Sequence, residues 1–442
     1  MKISFIIFLL KTFLISYISA QCFQHPNNIL ASLENVECIW DSNGKNDLIV
    51  PREIPSTTED MIKIQLNCDS DYVTCEKVLK EFNKAANLIS SIFIFNTQIK
   101  VNVSYYDLCK VYPANICTNL GGAAYPTQFY LFQDDDGMSR LYPQSLVKQF
   151  QFPNTPNYNE FDINAEFNSK GGFWFEDDAN AIRPDQGDIY WTICHELMHG
   201  LGFYNGWMGY GTNLIGVIPM PISINPDESV TRNNFLSMQS PLVEFMMDRY
   251  TILLSNGTQI SLYTQQLNTF FNENNTNIFD DSFISSPQFE FAKNLLILAS
   301  TPNSLGLLPR NSKNFLTDSI ILETSLSPFE QGSSLNHVDY KSYINTNDFL
   351  MTYKIIDGIT TDQMILSNGN YSGGPIGPKL KQIMETFGYT TVDNPNPYRP
   401  QPLFKPPPGN LTSEPKANSG YKINIIRNLN ILIIIVSLYL RK

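Results

Sequence analysis

His195, Glu196 and His199 stand together in the run Ile193-Cys194-His195-Glu196-Leu197-Met198-His199-Gly200-Leu201-Gly202-Phe203. Side chains four positions apart share one face of an α-helix. On a helix, His195 and His199 each aim an imidazole nitrogen at one metal ion, and Glu196, one step round, faces the adjacent open coordination position. The chemistry this implies is that of a zinc hydrolase. The metal makes water acidic and polarises a carbonyl, while the carboxylate takes the proton of the attacking water and hands it to the leaving amine. The chain has only four histidines, His25, His195, His199 and His337. The competing reading, a solvated helix end with two incidental histidines, is therefore the weaker one.

The surrounding residues are those such a helix needs. Ile189, Ile193 and Leu197 recur at helical spacing as a buried face, and Gly200 and Gly202 end the helix where a left-handed residue is wanted. Cys194 points away from the metal in this register and reads as a buried free thiol. A catalytic zinc takes three protein ligands and leaves one position open. The leading third ligand is His337, in Ser333-Ser334-Leu335-Asn336-His337-Val338-Asp339. The rival is a carboxylate from a following helix, Glu244 or Asp248. His25 lies near the N-terminus, outside the expected core. Asp339 is either a hydrogen-bond partner of His337 or a surface residue.

The elements that position these residues are legible in part. Residues from Met61 to Leu66 alternate apolar and polar; Val78, Leu79, Phe82, Ala86 and Ile89 recur at helical spacing; Ile99, Val101, Val103 and Tyr105 alternate again. Strand, helix, strand predicts a βαβ unit in a mixed sheet backed by helices. Phe161 to Phe167 alternates just before the zinc helix. It is either the sheet edge on which an extended peptide pairs or an ordinary core strand. Asp134-Asp135-Asp136-Gly137 lacks calcium-loop spacing and reads as a solvated hairpin turn. Ile376, Leu380, Ile383, Met384 and Phe387 form a last amphipathic helix ending at Gly388, and the prolines that follow up to Pro415 read as an extended stalk.

Composition bounds the rest. The 442 residues are 43% hydrophobic and carry a net charge of −12 without basic clusters, which argues against a nucleic-acid partner. Residues 1–20 have the layout of a secretory signal peptide. Cys22, Cys38, Cys68, Cys75, Cys109 and Cys117 make an even set suited to disulfides, with the near neighbours Cys68 with Cys75 and Cys109 with Cys117 as expected pairs. Glycosylation sequons start at Asn102, Asn256, Asn274, Asn370 and Asn410. The apolar run Ile431–Leu440 is too short to span a bilayer, and with the small residues at Asn418-Ser419-Gly420 it matches a GPI-anchor signal. The expected setting is the secretory pathway and the cell surface, with the membrane reached through a C-terminal lipid anchor.

Taken together, the βαβ start, the alternating strand, the HELMHGLGF run, the late His337 and Phe349-Leu350-Met351-Thr352 resemble the metzincin metallopeptidases, most closely the leishmanolysin family. Most metzincins carry the third ligand six residues after the second histidine, beyond a glycine. This chain keeps Gly202 but has Asn205 at that position. Leishmanolysin-like enzymes place a long insertion there and recover the third histidine downstream, shortly before a methionine turn. The resemblance implies His195, His199 and His337 as ligands of one catalytic Zn2+, Glu196 as general base and Met351 as the Met-turn residue. It implies an α+β, metzincin-like catalytic domain with a twisted mixed sheet, an active-site helix and a helical or irregular C-terminal subdomain. The expected organisation is a signal peptide (1–20), an N-terminal extension and possible pro-segment (21–60), a catalytic subdomain (61–205), an insertion (206–336), a C-terminal subdomain (337–390), a Pro-rich stalk (391–417) and the anchor signal (418–442). The expected function is a secreted or cell-surface zinc endopeptidase acting on proteins or peptides. The alternative is an inactive adhesion or binding protein on the same fold.

Overall fold

The computed structural model describes residues 21–26, 33–37, 61–153, 155–221, 242–274 and 281–402. The expected signal peptide (1–20), Cys38, Asn410 and the expected anchor signal (418–442) lie outside the described residues. The described residues belong to one compact α+β unit.

Two short strands, β1 (Gln21–Gln24) and β2 (Glu34–Glu37), open the described chain. The expected βαβ unit follows as β3 (Ile62–Cys68), α1 (Tyr72–Ile92) and β4 (Ile99–Tyr106). The Asp71 side chain caps α1 by accepting from the Thr74 N–H at 3.0 Å. β3 and β4 pair in parallel from Ile62 opposite Ile99 to Cys68 opposite Tyr105. Burial in β4 alternates strictly, so Ile99, Val101, Val103 and Tyr105 join Val78, Phe82, Ala85, Ala86 and Ile89 of α1 in the main core.

Next come β5 (Gly122–Pro126), β6 (Gln128–Gln133), β7 (Ser139–Pro143) and β8 (Ile163–Asn168). The first sheet runs β3-β4-β8-β5, with β8 parallel to β4 and antiparallel to β5. The strand at Phe161–Phe167 is thus internal, not an edge; the end strand on that side is β5. Both faces of β8 are buried. Its apolar residues Ile163, Ala165 and Phe167 enter the main core. On its polar set, Glu166 accepts from Tyr112 Oη at 2.5 Å and Asn168 Nδ2 donates to the Cys117 and Leu120 carbonyls. Alternation alone does not separate an edge strand from one whose polar face is covered by a loop.

The helix that carries His195, Glu196 and His199 is α2 (Ile189–Gly200), followed by β9 (Trp207–Tyr210), β10 (Gly216–Pro219), β11 (Glu244–Phe245), α3 (Ser261–Asn274), α4 (Phe289–Ala299) and α5 (Pro378–Phe387). β6 and β7 form a hairpin; β1 adds to β6, β2 to β1, and β11 to β7 in parallel. Segment 206–336 has a core of its own, including Trp207, Phe270, Phe283, Phe289, Leu295 and Leu335. It also sends Met246, Met247, Tyr250, Leu307, Ile320 and Leu322 into the main core. β1 is likewise integral, since Cys22 and Phe23 are fully buried within the sheet.

The acidic turn departs from expectation. It does join β6 to β7, but Asp134 is buried, because Arg140 is buried too and needs counter-charge. Arg140 Nη1 donates to Asp134 at 2.8 Å, Nη2 to Asp136 at 2.9 Å, and Nε to Glu244 at 2.7 Å. Tyr142 and Tyr398 also donate to Asp134, and Arg249 and Arg310 pair with Asp135. Removing one partner of a buried charge network strands the others, at a cost of roughly 3–5 kcal/mol. Arg140→Ala is therefore expected to lower stability by about that much, read from the urea midpoint. A loss below about 1 kcal/mol would show that Asp134 and Glu244 are not uncompensated without it.

The proline-rich segment also differs at its start, where residues 394–402 are docked. Tyr398 Oη bonds Asp134 at 3.0 Å under the Arg310 guanidinium, which lies 3.8 Å from its ring centroid. Arg399 donates to the Phe150 carbonyl, and Gln401–Pro402 pairs with β6. Proline lacks an N–H, but its neighbours supply the anchoring groups. Both expected disulfides, Cys68–Cys75 and Cys109–Cys117, are present; Cys22 is also disulfide-bonded, and Cys194 is a buried free thiol. Asn102 lies within β4, where its amide bridges Asn67 and Asn164 at 3.1 and 3.2 Å. Asn256 and Asn370 are exposed, and Asn274 closes α3. No described helix is long and apolar enough to cross a membrane.

Candidate metal centre

α2 is buried along its whole length and held at both ends. At its start the Asp188 carboxylate accepts from Tyr190 N at 2.9 Å and, through its other oxygen, from Thr361 N and Oγ1 at 2.7 Å each. This cap joins the helix to the chain beyond Met351. At its end, Gly200 packs so closely on Ile163 that a Cβ would sit 2.4 Å from Cγ2 of that side chain, and Gly202 takes φ +107° to turn the chain away. Tyr389 Oη donates to the Leu201 carbonyl at 2.7 Å, tying the segment after α5 to the same turn.

Three histidines converge beneath this helix. The Nε2 atoms of His195 and His199 lie 3.0 Å apart, those of His195 and His337 3.1 Å, and those of His199 and His337 3.2 Å. Each ring is fixed from behind: His195 Nδ1 donates to the Leu350 carbonyl at 2.7 Å, His199 Nδ1 to Phe203 O at 2.7 Å, and His337 Nδ1 to Ser333 O at 2.9 Å. A carbonyl only accepts, so every Nδ1 carries the proton and every Nε2 presents a lone pair. Three lone pairs facing one another in a buried space repel unless a cation sits among them. Tetrahedral zinc bonded to imidazole nitrogens at ~2.0–2.1 Å separates them by roughly 3.3 Å, so the donor set fits such an ion. Among the described residues this is the one His, Cys, Asp and Glu cluster able to share a metal.

The electrostatics agree with neutral ligands. Burial, and then the neighbouring His199 and His337, push the His195 imidazole well below its ordinary value. Burial lowers His199 to about 4, and burial with the nearby His199 lowers His337 to about 3. Burial lifts the Glu196 carboxyl to about 8, against the pull of the Ala124 N–H that its Oε2 accepts at 2.8 Å. Ala124 belongs to β5, so the Glu of the motif bridges the helix to the end strand of the sheet.

The remaining expected residues fall as follows. Met351 is fully buried, and its carbonyl accepts from Val338 N at 2.8 Å. Met351 thus holds the residue after His337, while its own predecessor Leu350 holds His195. Glu244 and Asp248 are not part of the histidine cluster; each is engaged elsewhere. Glu244 serves Arg140, Ser261 and Thr264, and Asp248 accepts from the N–H groups of Gly206 and Phe245. Asp339 does not touch His337; it caps the short helix Tyr340–Tyr343 by accepting from Ser342 N. His25 is not part of the cluster; its ring lies tilted against Tyr125, with centroids 4.2 Å apart. Sequence reasoning missed the carbonyls of Phe203, Ser333 and Leu350 and the N–H of Ala124. Backbone groups have no residue-type signature.

Comparison with known proteins places the chain. The family described as SPBPB7E8-like matches residues 22–425, and the chain belongs to that family. An uncharacterized protein of Schizosaccharomyces pombe, PB7E8.01, is 25% identical over 366 residues, covering 76% of this chain and 63% of that protein. The chain thus spans less than two thirds of the length of this curated relative. No solved structure matches it.

Proposed function

We propose that this chain is a zinc-dependent endopeptidase of the leishmanolysin-like, metzincin type, acting on proteins or peptides in the secretory pathway or at the cell surface. The observation that carries the reading is the convergence of three unprotonated Nε2 atoms at 3.0–3.2 Å, with Glu196 as the neighbour of one of them on the same helix. Zinc, when held by His195, His199 and His337, supplies Lewis-acid polarisation of a carbonyl and acidifies water. Glu196 takes the proton of the attacking water and delivers it to the leaving amine. Its elevated proton affinity comes from burial, and a nearby dication lowers it again toward the range a proton shuttle needs. The Leu350, Phe203 and Ser333 carbonyls keep the three rings in one tautomer and one orientation. The Ala124 N–H keeps the Glu196 carboxylate at β5, the strand on which an extended peptide would pair.

The test is metal analysis of the purified chain beside digestion of a general protein substrate. About one zinc per chain, and hydrolysis that a chelator abolishes and added zinc restores, are expected. A chain that takes up no zinc from a supplemented buffer, or that cleaves equally well after chelation, overturns the reading.

A further inference from the structure

We infer that Asn205 and Asn336 form a clasp that closes segment 206–336 and sets the position of His337; the inference rests on the metal reading above. Asn205 stands where a histidine six residues after His199 would be a ligand, and Asn336 immediately precedes the histidine that replaces it. The two residues are 131 apart in sequence, yet the Asn205 backbone N–H and Nδ2 both donate to Asn336 Oδ1, at 2.8 and 2.7 Å. Asn205 Oδ1 is used as well, accepting from Trp207 N at 2.8 Å. Both side chains are buried, at 4% exposure each, so neither has water as an alternative partner.

The position of this pair in the chain is what gives it a role. Asn205 is the last residue before the segment begins, just past the turn that ends α2, and Asn336 is the last before His337. The same neck is braced by Asp248, which accepts from Gly206 N at 3.0 Å, and by Glu323, whose backbone pairs with Leu335 and His337. Closing so long a segment costs entropy that its packing into the main core offsets, and the asparagine pair then fixes where its two ends meet. Asn205 therefore acts on the metal through its neighbour's neighbour. It is a positioning residue that holds the base of His337 while Ser333 O fixes the ring.

The experiment measures zinc affinity by competition with a chelating dye, together with the visible absorption of the Co2+-substituted chain and the melting temperature. Asn205→Ala and Asn336→Ala are expected to weaken zinc binding ~10–100-fold and to shift the Co2+ bands, as loss of an outer-sphere partner does. Asn336→Asp retains the accepting oxygen and should restore most of the affinity. Ser261→Ala, whose hydroxyl bonds Arg140 and Glu244 and neither asparagine, should lower the melting temperature without moving zinc affinity. Asn205→Ser, whose hydroxyl keeps a polar donor and acceptor at that position, gives an intermediate affinity if an alanine variant does not fold. Asparagine variants that hold zinc within about twofold of the parent overturn the clasp, and so does an equal loss in Ser261→Ala. A parent chain that binds no zinc instead sinks the metal reading itself.

Discussion

Glu196→Gln is expected to keep its zinc and its fold while peptide hydrolysis falls by ~10²–10⁴-fold, the share that positioned general-base help contributes. The substitution is nearly isosteric, and the amide oxygen of Gln still accepts from the Ala124 N–H that Glu196 Oε2 accepts at 2.8 Å. What disappears is a group able to take and return a proton. The three Nε2 donors and their carbonyl anchors are untouched, so metal content measured on the purified variant should equal that of the parent. Near-normal turnover by Glu196→Gln at full zinc occupancy would mean that the base is another group, and the mechanism would have to be redrawn.

The second large effect belongs to His337. Its removal leaves His195 and His199 as a two-nitrogen set, and two ligands do not hold a catalytic zinc tightly. His337→Ala is therefore expected to lose more zinc affinity than the ~10–100-fold that follows loss of an outer partner, with hydrolysis tracking the zinc that remains. Glu244→Gln and Asp248→Asn should retain the metal. Those carboxylates serve Arg140 and the N–H groups of Gly206 and Phe245, so their variants report on stability instead. Full zinc in His337→Ala, with loss in either carboxylate variant, would contradict the ligand assignment. Equilibrium dialysis with zinc analysis separates the two outcomes without relying on activity.

Much of the local structure was readable because it rests on short-range spacing. The four-residue interval from His195 to His199 dictates that both rings share a helix face, whatever surrounds them. Strict alternation in Ile99–Tyr106 and the helical period of Val78, Phe82 and Ile89 determined a βαβ unit, and closeness in sequence was enough to pair Cys68 with Cys75 and Cys109 with Cys117. His337 stood out because the chain has few histidines and a metal needs a third ligand.

What only the tertiary structure decided is everything that depends on which segments meet. The alternation of Phe161–Phe167 was real, but neighbours on both sides made it an internal strand, and the end of the sheet fell to β5. The acidic run Asp134–Asp136 looked wholly solvated because two of the groups that bury Asp134, Arg249 and Tyr398, come from segments remote in sequence, beside Arg140 of the same hairpin. Glu244 and Asp248 were plausible ligands by type; distance removed them. Residue chemistry does not choose between His337 and a carboxylate as the third group beside His195 and His199. The fold brings His337 there, at the end of a long segment that returns to its own starting point at Asn205, a contact across 131 residues. Residue type and spacing determine what a side chain can do and which face of its own element it occupies. Closing a long loop depends on packing and hydrogen bonds summed over the whole chain, and no local pattern encodes that sum.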